Sequence, residues 1–85
     1  MVKIYCYVLV SDSGEHLYYG ISNNPARRES EHRREGKKFK SLRKLSSHKN
    51  RELAHFAEGK RIATYMKRHN GDLPFYNRTT LGDRL

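Results

Sequence analysis

Tyr7, Tyr18, Arg28, His32 and Glu58, in chain order, are two phenols, a guanidinium, an imidazole and a carboxylate. Those groups together are what hydrolysis of a phosphodiester requires. A phenol or an imidazole can activate water, an arginine can hold the nonbridging phosphate oxygens, and a carboxylate can anchor a divalent metal. Without a metal, one arginine would be a weak answer to the charge that grows on the phosphorane. The first four groups are drawn together by "EHLYYGISNNPARRESEH", residues 15–32, and the strand before it. Arg28 follows Gly20 by eight residues, and His32 lies one helical turn beyond Arg28.

The elements that must position these groups are legible. "KIYCYVLV", residues 3–10, is rich in β-branched and aromatic residues and predicts a largely buried strand. "SDSGE" predicts a turn, with Gly14 free to take positive φ, and "HLYYGI" a second strand, so residues 3–21 form an antiparallel hairpin. Tyr7 and Tyr18 then sit on neighbouring strands with phenols able to face one side. "NNPARRESEHRREG" predicts a helix capped by Asn23 or Asn24, with Pro25 in its first turn and Gly36 at its end. Between Ala26 and Gly36 every residue is charged or polar, so this helix is either a solvated flank or one whose polar side has a task. "KKFKSLRKLSS" is ambiguous, since Phe39, Leu42 and Leu45 recur at a helical spacing of three over the length of a strand. Residues 50–69 predict a second long helix. Its stripe of Ala54, Glu58, Ile62, Tyr65 or Met66, and His69 carries a carboxylate where an apolar residue is expected. A buried carboxylate needs a cation or a full set of hydrogen bonds. The tail "LPFYNRTTLG" reads as turn residues around an aromatic segment that packs back on the domain.

Composition bounds the rest. The 85 residues suit one domain, 1–85, with a small core. Nine aromatic residues argue against disorder. The N-terminal segment is too short and too alternating for a signal peptide, and no apolar run is long enough to span a membrane. A lone cysteine, Cys6, allows neither an internal disulfide nor a cysteine-based zinc site, so an intracellular protein is expected. Eighteen Lys and Arg against nine Asp and Glu give a net charge of +9, which points to a polyanion, nucleic acid being the commonest. Arg27, Arg33, Arg34, Lys37, Lys38, Lys40 and Arg43 are the expected phosphate contacts.

In these residues the chain resembles the GIY-YIG nuclease domains. The family's two tyrosine motifs stand here as "YCY", ending in Tyr7, and "YYG", beginning at Tyr18; their separation of eleven residues fits the family pattern. "SNNPARRESEH" is similar to the segment that follows, which carries the family's arginine onto Arg28 and its helix histidine onto His32. "RELAHFAEGKRI" resembles the helix bearing the metal-binding glutamate, here Glu58, and "FYNRT" a C-terminal segment whose asparagine, here Asn77, stands near the active site. The resemblance covers about residues 3–80. The first motif lacks its glycine and isoleucine, and Tyr19 replaces a small aliphatic residue.

The resemblance implies an α+β fold, a three-stranded antiparallel β-sheet flanked by α-helices, with "FKSLRKLS" as the third strand. It implies a DNA endonuclease with one Mg²⁺ or Mn²⁺ per active site bound through Glu58. One site cuts one strand, so double-strand cleavage needs a homodimer, a second event or a partner enzyme. So small a domain also offers little surface for reading sequence, and a protein partner is one source of specificity. Tyr5 and Tyr19 are expected in packing or at the edge of the DNA surface, and His16, His48, His55 and His69 on the surface. The alternative is a noncatalytic basic module that binds nucleic acid by charge and stacking aromatics.

Overall fold

The most apolar segment of the chain becomes the middle of the sheet. A computed structural model of the protein describes residues 3–77. Its elements are β1 (Ile4–Val10), β2 (His16–Ser22), α1 (Pro25–Arg34), β3 (Ser41–His48) and α2 (Arg51–Arg68). The strand order is β2-β1-β3, with both pairings antiparallel. This is the α+β architecture that the resemblance implies. Gly14 takes φ 89° in the turn between β1 and β2, a left-handed conformation that its missing Cβ permits.

Alternation along β1 divides the core between the two sheet faces. On one face Ile4 and Cys6 pack with Ile21 and Ala54, while Val8 and Val10 pack with Tyr19 and Ile62. This is the face that α2 covers. Fully burying a side chain such as Ile62 contributes about 1.5–3 kcal/mol. On the other face Tyr7, Leu9 and Tyr18 pack with Leu17, Phe39, Leu42 and Tyr76. The ambiguous third segment is resolved by the same alternation. In a strand a spacing of three sends Leu42 to one face and Leu45 to the other, and apolar side chains meet both. At Leu45 the β1–β3 register slips from Cys6 opposite Ser46 to Tyr7 opposite Lys44.

The helix signals act as expected. The Asn24 side chain accepts from the Arg27 N–H at 3.2 Å, which caps α1. Gly36 ends it at φ 93°, with its N–H bonded to Arg33 C=O and the Lys37 N–H bonded to His32 C=O, the double bond of a Schellman cap. Asn50 caps α2 by accepting from the Leu53 N–H at 2.9 Å. The α2 stripe is buried at Ala54, Glu58 and Ile62. It stops short of His69, which is the exposed C-cap and stacks on Tyr65.

The tail returns to the exposed edge of β2. Tyr76 N–H donates to Leu17 C=O at 2.8 Å, and the Tyr76 hydroxyl accepts from the Lys38 N–H at 2.9 Å. Phe75 beside it stays 77% exposed. Residues 78–80 of the expected resemblance lie outside the described residues. No helix of the described residues is long and apolar enough to cross a membrane.

Candidate active site

Tyr7 is the centre of the sheet face that α1 overlooks. Its ring is fully buried, and its hydroxyl lies 2.7 Å from His32 Nε2. Tyr18 joins them from β2. Its ring meets the His32 ring edge-on at 4.9 Å between centroids and stands 6.2 Å from Tyr7. The close approach depends on Gly20, which is paired opposite Tyr7. A Cβ at Gly20 would lie 2.6 Å from the Tyr7 hydroxyl oxygen and 2.8 Å from a Tyr18 ring carbon. The glycine of "YYG" therefore makes room for both phenols.

His32 answers the question of the polar helix. It is the buried residue of α1, and the helix turns this polar side to the sheet. Burial, and then the charges of Arg28 and Lys37, lower the His32 pKa to about 4, so the imidazole is neutral at physiological pH. Its Nδ1 is buried without a hydrogen-bond partner among the described residues; a Glu35 carboxylate oxygen stands 3.6 Å away. A proton on Nδ1 faces that carboxylate and leaves Nε2 to accept from the Tyr7 hydroxyl.

Arg28 lies one turn before His32 and is largely enclosed. Its Nη1 donates to Glu31 Oε1 at 2.6 Å, a bond that holds the Glu31 carboxyl below its usual range. Lys37, expected as an outer phosphate contact, is drawn inward by the helix cap. Its ammonium group stands 5.6 Å above the Tyr18 ring and 6.0 Å above Tyr76, and bonds to Glu35 Oε1 at 2.7 Å. Sequence reasoning missed this second role, although the glycine that ends α1 was the signal for it.

Glu58 comes to the sheet from α2. It is 1% exposed, in the stripe between Ala54 and Ile62, and its Oε1 lies 3.2 Å from His55 Nδ1. His55, expected on the surface, is mostly enclosed beside it; its position one turn before Glu58 was the available signal. Among the described residues no three His, Cys, Asp or Glu side chains group closely enough to cage a metal ion. That donor set does not fit a zinc or calcium cage. It does fit a magnesium-like ion, which is commonly held through one or two carboxylates with water and substrate phosphate completing the shell.

Asn77 acts on the backbone of β2. Its Oδ1 accepts from the Tyr19 N–H at 2.8 Å and its Nδ2 donates to the Tyr19 C=O at 3.1 Å. The side-chain amide thus replaces a neighbouring strand at the residue between Tyr18 and Gly20. Arg27, Arg33, Arg34, Lys38, Lys40 and Arg43 are exposed. Arg33 is also tied down, donating to the Phe39 and Lys40 carbonyls at 3.2 and 3.1 Å.

Fold and cluster define a small α+β domain with two phenols, a neutral imidazole and two cations gathered on one side of the sheet. The family model for the GIY-YIG catalytic domain matches residues 3–68, and the chain belongs to the GIY-YIG family. The family is one of nucleases, hydrolases of the phosphodiester bond. Neither curated proteins nor solved structures gave a match.

Proposed function

We propose that the protein is a metal-dependent DNA endonuclease that cuts one strand per active site. The observation that carries this reading is the short contact between the Tyr7 hydroxyl and a neutral His32, within a family of nucleases. An ordinary phenol, with a pKa of about 10, is a poor base at neutral pH. A phenol that donates to a neutral imidazole has another course. As Tyr7 takes a proton from water, its own proton passes to His32 Nε2, and no free phenolate has to form. The arriving phosphate offsets the Arg28 and Lys37 charges that help to hold His32 unprotonated, which raises its basicity as the reaction begins.

Arg28 neutralises the nonbridging oxygens as the pentavalent transition state forms. Tyr18, held against His32 and below Lys37, positions the phosphate. Glu58 would hold one Mg²⁺ or Mn²⁺, which supplies Lewis-acid stabilisation of the phosphate. The exposed basic residues of α1 and of the segment leading into β3 hold the flanking phosphates of DNA, and the net charge of +9 supports that partner. Cutting both strands would take a second copy, a second event or a partner enzyme.

The test is nicking of supercoiled plasmid with Mg²⁺, with Mn²⁺ and with EDTA, beside Glu58→Ala, Arg28→Ala and Tyr7→Phe proteins. Metal-dependent nicking that is lost in all three is the expected result. DNA binding with no cutting under any condition would replace this reading with the noncatalytic module. Full activity of Tyr7→Phe would remove Tyr7 from the proton path.

A further inference from the structure

Behind the sheet, on the face opposite Tyr7 and Tyr18, the start of β2 and the C-terminal half of α2 flank an open groove of about 620 Å³. That volume lies within the ~300–1,000 Å³ of small-ligand sites. His16 and Tyr19 line it from β2, the ring nitrogen Nδ1 2.5 Å from the phenol oxygen. From α2 come Lys60, whose ammonium group stands 4.8 Å from the centre of the Phe56 ring, Arg61, which also reaches the Cys6 thiol, and Arg68. Glu15 is the acid in the lining, so the groove carries an excess of positive charge.

An aromatic platform borders the same space. Tyr65 and His69 stack with ring centroids 3.8 Å apart and planes within 8° of parallel, and His69 is exposed, which leaves its outer side open. Three cations beside an open stacked pair match a ligand with a phosphate and a flat ring. An apolar ligand would leave the cations uncompensated, and a bare anion would leave the platform unused. The hydrolytic scheme uses none of these side chains.

We propose that this groove is a nucleotide-binding site separate from the hydrolytic cluster, with the base on the Tyr65–His69 stack and the phosphate held by Lys60, Arg61 and Arg68. A nucleotide within a strand and a free nucleotide share this chemistry. For a strand, stacking without base readout gives tolerance of sequence, and each phosphate held adds to the salt dependence. The groove then anchors a nucleic-acid strand on the far face of the domain from Tyr7.

The test is an NMR titration of the full chain in EDTA, with an oligothymidylate of about eight nucleotides and separately with thymidine 5′-monophosphate. A doubly substituted Lys60→Gln, Arg68→Gln protein is run in parallel. Both substituted side chains are exposed and neither belongs to the hydrolytic cluster. The expected result is a shift of the Tyr65 and His69 ring resonances with the oligonucleotide. The double variant should bind about tenfold more weakly, with the slope of log K against log salt reduced by about 1.4, the value for two lost single-strand phosphate contacts. Equal affinity for the mononucleotide would support the groove and make a free nucleotide its ligand. Unmoved Tyr65 and His69 resonances, or an unchanged salt slope in the double variant, would overturn it. Plasmid nicking is read separately, so a protein that fails to cut but shows the ring shifts still has the site.

Discussion

His32 gathers the consequences of burial in a single residue. An exposed histidine on so charged a helix would titrate near 6.5; this one is fully buried, and its pKa falls to about 4. Two outcomes follow. In activity, the acid limb of kcat/KM, which reports groups of the free enzyme, should fall near pH 4 to 5 and leave cleavage intact at pH 5.5; a limb at 6.5 would show an imidazole that is not enclosed. In stability the sign is the same. Between pH 6.5 and about 4 the unfolded chain binds a proton at His32 that the folded chain refuses. Stability therefore declines as pH falls through that window, by about 3 kcal/mol over the full interval. Urea midpoints at pH 7 and pH 4.5 should move apart in the wild type and less so in His32→Gln.

At the scale of elements, two glycines make opposite predictions. At Gly20 in β2 a methyl group would collide with buried Tyr7 and Tyr18 rings. Gly20→Ala should cost about 1–3 kcal/mol, the usual penalty for overpacking, and reduce nicking more than tenfold as the phenols shift. Gly59 in α2 has open space where its Cβ would stand. Gly59→Ala should stabilise by about 0.5–1 kcal/mol through helix propensity and leave nicking unchanged. Denaturant melts of the two variants, with nicking assays, check both. The Asn77 clamp is also an element-scale device, because it occupies an edge that β2 would otherwise expose. Asn77→Ala leaves the buried N–H and C=O of Tyr19 unmatched, at a cost of about 1–3 kcal/mol. Amide exchange at Tyr19 should then accelerate more than at residues of β1.

For the whole molecule the governing quantity is charge. DNA affinity should fall linearly in log salt, with a slope of about −0.9 for each phosphate neutralised. The basic residues are not equivalent in this respect. Arg27 and Arg34 are exposed, and their joint replacement by Gln should reduce the slope by about 1.8 while the thermal midpoint holds. Arg33 spans from α1 to the Phe39 and Lys40 carbonyls and lies 4.2 Å over the Phe39 ring. Arg33→Gln should lower the midpoint as well, and parallel binding and melting curves separate the two roles.

By itself the sequence determined the chemical inventory and every element but the third strand, because both are local; between helix and strand that segment was ambiguous until its two faces were packed. Asn24, Pro25 and Gly36 bound α1 through backbone bonds that reach no further than one turn, and the alternation of β1 announces a strand covered on both faces. Tyr7, Tyr18, Arg28, His32 and Glu58 could be named from type, spacing and the family resemblance together. What tertiary structure decided is whatever depends on enclosure and on contacts across the chain. It set a 2.7 Å contact between residues 7 and 32 and gave Gly20 the task of admitting two rings. It turned Lys37 toward Tyr18, placed His55 against Glu58 and made Asn77 a clamp on Tyr19. A side chain's identity is written in the sequence, but its desolvation depends on every element packed around it, and that desolvation leaves His32 a neutral acceptor at neutral pH.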